Sequence, residues 1–340
     1  MSVAPAHAYL LSRAGWYLAT FFVAVTLTFF LPRLGPVDPV DIILSNINTA
    51  GMDATAIAAM EQEYRRAFDL DKPLIVQYLR YLWRSARLDL GTSSISYPRS
   101  CIDIIAAALP WSLALVVPTV LLSWVVGNAL GALAAYRRGI FDRVLYPISL
   151  FLSAVPFFCF GLILVFVFYT VLGSVDSLGA YSPGAMPGFT LAFAADVMAH
   201  YWLPFLSIFA IMTGGQAIGM RSMCIYELGT DYVRYAKGLG IAEYRVLLYV
   251  FRNAMLPQLT GLALALGTMI GGTLITEIIF SYPGLGLLML RAINTSDFPL
   301  IQSIALLITT TVLLLNFGVD VLIGVLDPRI STAPAHRREQ

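Results

Sequence analysis

Apolar runs separated by polar interruptions organise this 340-residue chain. They cover roughly residues 15–31, 105–136, 144–172, 200–221, 257–280 and 300–326. Most of them reach or exceed the roughly 20 residues that a helix needs to cross a bilayer. The pattern therefore predicts six membrane-spanning helices. Residues 105–136 are more than one crossing requires, which predicts a tilt or a kink at Pro118. The first run follows Arg13 and ends Phe-Phe-Leu-Pro-Arg, with no small-x-small cleavage pattern, so it reads as an uncleaved helix rather than a signal peptide.

The polar interruptions differ in kind. Residues 33–105 carry charges of both signs, a turn-like Pro36-Val-Asp-Pro39, and a helix predicted over 54–68 with Ile57, Met60, Tyr64 and Phe68 at helical spacing. They read as a small domain outside the membrane. Residues 173–197 are a Gly/Pro-rich loop, and 281–299 form a shorter one. Residues 222–256 are a polar island between the fourth and fifth spans. The domain division is 1–32 (N-terminal segment and first helix), 33–105, a core over 106–328 and a basic tail over 329–340.

Composition agrees. The chain is 59% hydrophobic and 12% charged, with a mean hydropathy of +0.79. A soluble domain would be about 25% charged. The net charge of +1 gives no sign of a nucleic-acid partner. The placement of Lys and Arg is more informative. With the N-terminus inside, the cytoplasmic pieces hold Arg13, then Arg137, Arg138 and Arg143, then Arg221, Arg234, Lys237, Arg245 and Arg252, and finally Arg329, Arg337 and Arg338. The short outer loops hold only Arg291. Both termini and the polar island are then cytoplasmic, and 33–105 is extracytoplasmic.

Catalytic and metal chemistry are not indicated. Cys101, Cys159 and Cys224 fall in three different expected compartments, with no Cys-x-x-Cys, and His7, His200 and His336 are scattered singly. Neither a disulfide nor a metal site is expected. No phosphate-binding Gly-x-x-x-x-Gly-Lys-Ser/Thr loop, no Ser/His/Asp arrangement and no His-Glu-x-x-His occurs, so neither a catalytic residue nor a cofactor is expected. Glu277 and Asp320 sit in or near apolar spans, where ionisable groups default to functional candidates. They read as a proton relay or pathway pair, or else as bundle polar residues paired or snorkelling near the interfaces. Gly127-x-x-x-Gly131, Gly215-x-x-x-Gly219 and Gly267-x-x-x-Gly271 predict close helix packing.

The polar island contains Glu227-Leu-Gly-Thr-Asp-Tyr-Val-Arg-Tyr-Ala-Lys-Gly-Leu-Gly240 and later Arg252-Asn-Ala-Met-Leu-Pro257. Thr230 or Asp231 can cap a short helix that Gly238 and Gly240 end. Val233, Ala236 and Lys237 share one face of it, which is expected to enter a groove on a partner.

This segment resembles the "EAA" coupling loop of ABC-importer permeases, and in particular the peptide/opine/nickel type. The resemblance rests on Asp231, Tyr232, Arg234, Ala236 and Gly240, followed by Arg252, Asn253, Ala254 and Pro257. Asp89-Leu-Gly-Thr-Ser, Ala108-Leu-Pro-Trp-Ser-Leu, Gly131-Ala-Leu-Ala-Ala-Tyr-Arg-Arg-Gly139, Tyr282-Pro-Gly-Leu-Gly286 and Asp320 to Asp327-Pro-Arg329 extend it over nearly the whole chain. The family's Pro-Gly-Asp-Pro is replaced here by Gly35-Pro-Val-Asp-Pro39.

The resemblance implies an all-α, MetI-like type I ABC importer permease with an extracytoplasmic domain between helices 1 and 2. It implies residence in a bacterial or archaeal plasma (inner) membrane. The expected partners are a second, related permease, two ATP-binding subunits that carry ATP and magnesium, and an extracytoplasmic solute-binding protein. The residues carried over to the ATPase-coupling role are Asp231, Tyr232, Val233, Arg234, Ala236, Lys237, Gly240, Arg252, Asn253 and Pro257. Di- or oligopeptide is the expected cargo, with oligosaccharide as the rival. An ion-coupled secondary transporter and an intramembrane hydrolase are the alternatives of another class; the first would move solute, and the second would cut it, without any ATPase.

Overall fold

The computed structural model describes residues 4–34, 40, 44, 53–67, 69–87, 89–137, 139–173 and 178–326. The elements in order are α1 (Ala4–Phe30), a 3-10 turn (Leu31–Leu34), α2 (Ala54–Ala67), α3 (Leu74–Ala86), α4 (Cys101–Arg137), α5 (Gly139–Ala154), α6 (Phe157–Val165) with a π turn (Phe166–Val171), α7 (Leu191–Leu228), α8 (Asp231–Gly238), α9 (Glu243–Gly272), α10 (Leu274–Ile279), α11 (Leu285–Asn294) and α12 (Phe298–Leu326). Among the described residues, extended pairing is confined to an isolated bridge between Thr92 and Ser100. The Pro36–Pro39 turn, Phe68, Arg138, the Asp327-Pro-Arg329 segment and the basic tail lie outside the described residues.

Among the described residues, four helical stretches are long and apolar enough to cross a membrane: Leu11–Phe30, Cys101–Arg137, Leu191–Leu228 and Phe298–Gly318. The 37 residues of α4 run unbroken through Pro118 and would extend about 55 Å at 1.5 Å per residue, well beyond a hydrocarbon core of about 30 Å.

The third expected span is not one straight helix. It is α5 followed by α6 and its π turn, bent by 94°. Pro156 explains the break. It offers no N–H and disfavours helical geometry at Val155, and it sits extended at φ −61°, ψ 136° ahead of α6. Its carbonyl then accepts from the N–H groups of Cys159 and Phe160 at 3.0 and 3.2 Å, which restarts the helix.

The fifth expected span also differs. Its sequence is divided between α9, which starts far earlier, at Glu243, and α10. The division falls at Thr273, directly after Gly271-Gly272, where two glycines weaken the helix by about 1 kcal/mol each relative to alanine. The Thr273 hydroxyl donates to the Met269 carbonyl at 2.9 Å.

The chain forms two compact units, Met1–Pro110 with Leu287–Gln340, and Trp111–Gly286. In the first unit α1 packs along α12. The Tyr17 hydroxyl donates to Asp320 at 2.8 Å, and the Tyr17 ring meets Phe317 edge-on at 5.7 Å. Asp297 caps α12: its carboxylate accepts from Leu300 N–H at 3.3 Å and Ser94 N–H at 3.1 Å, and also from the Ser93 hydroxyl. The Ser303 hydroxyl donates to the Leu90 carbonyl at 3.0 Å. The Asp89-Leu-Gly-Thr-Ser segment is thus fastened to the start of α12. The helix expected over 54–68 is α2, with Ile57, Met60 and Tyr64 half-buried.

In the second unit the Gly127 and Gly131 pair places helices in close contact. A side chain at Gly127 or Gly131 would collide with α7 at Thr213, Gln216 and Ala217. Gly215, by contrast, faces open space; the tight contact falls on the preceding Gly214, against the Ser149 backbone. Leu115, Leu164, Leu203, Ile208, Phe280 and Tyr282 form one apolar core of this unit.

Candidate coupling site

The polar island folds as a helix–turn–helix continuation of α7. Near the end of α7, Arg221 makes a two-pronged ion pair with Asp142 at the start of α5, at 2.5 and 2.7 Å, and its guanidinium lies 4.4 Å from the centre of the Tyr146 ring. Such a bidentate pair fixes orientation as well as distance. The sequence reading used Arg221 only as a topological charge and missed this clamp; nothing in the local sequence links Arg221 to a residue 79 positions away.

After Gly229, Thr230 stands at the N-cap of α8 with extended geometry, φ −76°, ψ 157°, but its side chain does not cap the helix. Its hydroxyl instead donates back to the Glu227 carbonyl at 2.6 Å, which tightens the turn. Asp231 then opens α8 with its side chain 97% exposed, where its charge complements the helix N-terminus and Arg234 lies 3.4 Å away.

The end of α8 is a Schellman arrangement. Gly240 N–H donates to the Lys237 carbonyl at 3.0 Å, and Ile241 N–H donates to the Ala236 carbonyl at 3.2 Å. Gly240 sits at φ +71°, a conformation that costs other residues roughly 1–2 kcal/mol. Gly238 is the last residue of α8, and the left-handed turn itself falls at Gly240.

The structure corrects the expected docking face. Val233 is 1% and Ala236 6% exposed, because both are packed within this chain. They form a seam with Met220 and Cys224 of α7, Val246, Val250 and Ala254 of α9, and Ala135 of α4. They therefore cannot enter a groove elsewhere. Of the expected trio only Lys237 remains exposed. Beside the charged residues, the large side chains left most exposed are Tyr235 (71%) and the C-cap Leu239 (62%), with Tyr244, Leu248 and Tyr226 also exposed nearby in sequence. The spacing of Tyr235 and Leu239 at i, i+4 could have shown this exposed pair.

The Tyr232 hydroxyl donates to Glu227 at 2.7 Å, and the Asn253 side chain also reaches it. Partial burial, and then Glu227, push the Tyr232 phenol above its ordinary range. The tyrosine of the first motif half and the asparagine of the second are thus brought together. Arg252 and Pro257 are exposed along α9, which passes through Pro257 without stopping.

The two acidic candidates lie in different units, each with its own partners. Asp320 lies in the first unit, where it accepts from Tyr17 and pairs with Arg13 at 3.6 Å. Glu277 lies in the second, fully buried, and accepts from Gly286 N–H at 2.6 Å. Ser112 bonds to Glu277 and accepts from Leu285 N–H at 2.8 Å. Any side chain at Gly284 would collide with both. The pair Glu277 and Ser112 therefore anchors the Tyr282-Pro-Gly-Leu-Gly286 turn. Among the described residues no cluster of His, Cys, Asp or Glu is arranged to hold a metal ion.

Comparison with known proteins agrees with this architecture. Residues 127–332 match the family model described as "Binding-protein-dependent transport system inner membrane component". The chain is 34% identical, over 94% of its length and 97% of the relative's, to the di/tripeptide transport system permease protein DppB of Pseudomonas aeruginosa. It is 33% identical to the dipeptide transport system permease protein DppB of Escherichia coli K12, over 95% of this chain and 98% of that one. It is 31% identical, with the same coverage, to the glutathione transport system permease protein GsiC of Salmonella paratyphi A. With more than half of its residues inside the family model and relatives matched end to end, the chain belongs to the inner membrane components of binding-protein-dependent transport systems.

Proposed function

We propose that this chain is the permease subunit of an ATP-driven importer of di- and oligopeptides, and that α8 carries the stroke of separate ATPase subunits into the membrane helices. The single observation that carries this reading is the division of labour in α8. One face is sealed into a seam shared with α4, α7 and α9, while Tyr235 on the helix and Leu239 at its C-cap stay exposed. A helix held along one face, with large side chains free beyond it, can transmit a push without melting. The peptide cargo is supported by the names of the relatives.

In this reading the polar island and both termini are cytoplasmic, and residues 33–105 are extracytoplasmic. The second half of α9 together with α10 completes a sixth crossing. A second, related permease completes the pathway, ATP and magnesium belong to the ATPase subunits, and a solute-binding protein selects the peptide.

The test is uptake into proteoliposomes that hold this chain, its partner permease, the ATPases and the binding protein. Labelled di- to pentapeptides would be compared with matched oligosaccharides. ATP-dependent peptide uptake is expected. Replacing both Tyr235 and Leu239 with alanine should lower uptake at least about tenfold, while stability changes by no more than about 0.5 kcal/mol, as is usual for exposed positions. Uptake of sugars alone would overturn the cargo. Uptake by this chain without ATP would overturn the mechanism.

A further inference from the structure

Helix α3 has three faces. Tyr78, Tyr81 and Ser85 point inward. Ile75, Leu79 and Trp83, four residues apart, form an outward apolar stripe and are 62%, 57% and 61% exposed. Arg80, Arg84 and Arg87 form a basic row beside that stripe, with Arg87 stacked 4.1 Å over the Trp83 ring. The inward face alone accounts for the packing of α3 on its own unit. The apolar stripe has no role in it.

The contacts of α3 fix its level along α1. The Tyr78 hydroxyl lies 2.8 Å from that of Thr26, and the Tyr81 hydroxyl lies 3.2 Å from that of Thr28. Both tyrosine rings pack on Phe29, at 5.3 and 5.4 Å. These are the last turns of the apolar stretch Leu11–Phe30, and Arg33 follows at once, its guanidinium 3.7 Å over the Phe29 ring. Leu27 and Leu31, in the same turns of α1, are also exposed. The apolar stretch of α12 begins at Phe298. Phe29 and Phe298 together line a cavity of about 470 Å³ whose wall also includes Arg33, Arg80 and Arg84. Apolar floor, a charged rim in which Arg33, Arg80 and Arg84 outnumber Asp69 and Asp89, and exposed apolar stripe thus coincide at the edge of the membrane-spanning stretch.

We propose that α3 is an interfacial helix seated in phospholipid, with Ile75, Leu79 and Trp83 among acyl chains and Arg80, Arg84 and Arg87 on headgroup phosphates. A helix with an apolar face and a basic polar face lies in the interface plane in this way, and its arginines favour anionic headgroups. Asp69 serves the arrangement from the protein side. Its carboxylate accepts from Arg80 at 2.8 Å and lies 3.9 Å from Arg84, which holds the row together while leaving each arginine side chain about half exposed. The assignment stands on α3 and its depth, independently of cargo or coupling.

The test uses the full-length chain and its Trp83→Phe variant in vesicles of phosphatidylcholine with phosphatidylglycerol. The difference between their emission isolates Trp83. Acyl chains brominated near the headgroup should quench this component more than deeply brominated chains, and aqueous iodide should leave it nearly unchanged. Dominant quenching by iodide would overturn the proposal. So would a component that no reagent reaches, since a protein would then cover the stripe. Co-purified lipid gives the second readout. Arg80→Gln with Arg84→Gln should reduce the preference for phosphatidylglycerol about fivefold per arginine removed. Arg80→Lys with Arg84→Lys should keep it, and should keep the fold comparable. An unchanged lipid preference in the glutamine variant would overturn the headgroup contact.

Discussion

Two short amphipathic helices, α8 and α3, solve opposite packing problems. α8 buries small residues, Val233 and Ala236, and exposes large ones, Tyr235 and Leu239. α3 turns large aromatics, Tyr78 and Tyr81, inward and exposes Ile75, Leu79 and Trp83. The small inward face lets α8 lie close against α7 and α9, so it behaves as part of those helices. The aromatic inward face holds α3 on α1 through ring contacts and hydroxyl pairs at the end of the apolar stretch. Their flanks differ as well. Asp231, Arg234 and Lys237 give α8 charges of both signs, suited to a protein partner, whereas α3 presents only arginines beside its stripe, suited to phosphates. The outward residues alone would not separate the two cases. What the inward face grips, and which charges flank the outward one, do.

The strongest way to break this contrast is to charge the α8 seam. Val233→Asp would strand a carboxylate among Met220, Val246 and Val250 and should cost roughly 3–5 kcal/mol, the scale of an uncompensated buried charge. Thermal unfolding in detergent reads it, and uptake should be lost with it. Next, Tyr81→Ala removes a half-buried ring from Phe29 and should cost about 2 kcal/mol, somewhat below a fully buried aromatic truncation. Its effect should appear as protease sensitivity around α3, with the α8 seam intact. Loosening of both helices together would mean that they are not independent.

Gly240 sharpens the comparison further. Its added Cβ would meet open space, so the cost of a substitution is backbone conformation alone, about 1–2 kcal/mol. Gly240→Val should lower uptake strongly, and Gly240→Asn, which tolerates the left-handed conformation, should keep most of it. Equal loss in both would point to a role for the glycine other than its φ of +71°.

The smallest effect concerns Asp69. Burial acts to raise its pKa, but hydrogen bonds and charge from Lys72 and Arg80 outweigh this and hold it below the ordinary 3.8. A depressed carboxylate contributes stability that is fully present above the ordinary value and is lost as pH falls through the lowered one. Asp69→Asn should therefore remove a loss of stability seen below about pH 3.8. Its size should stay under about 1 kcal/mol, because Arg80 and Arg84 are half exposed and solvent screens them.

Much of the fold was legible in the chain. The positions of α1, α2, α4 and α12 and the middle of α7 follow from apolar runs and helical spacing, although α7 starts at Leu191, inside the expected loop, and Gly240 marks the end of α8 as expected. The breaks were not legible. Pro147, Pro204 and Pro257 all lie inside helices, whereas Pro156 breaks one. A proline always removes a donor. Whether the helix continues depends on whether neighbouring groups satisfy what it frees, and those neighbours come from distant sequence. The pairing of Arg221 with Asp142 and the anchoring of a turn by Glu277 and Ser112 are long-range in the same sense.

The sequence by itself determined that this is a helical membrane protein with a folded polar island between its later spans, and that a short helix within the island ends in a glycine-dependent turn. Periodicity and composition carry that information because they reflect the local chain and the solvent it requires. Only the tertiary structure decided which face of α8 is free, since Val233 with Ala236 and Tyr235 with Leu239 are both apolar pairs at helical spacing. Shape made the choice. The smaller pair fits against α7 and α9 at close range, and the larger pair is left outside.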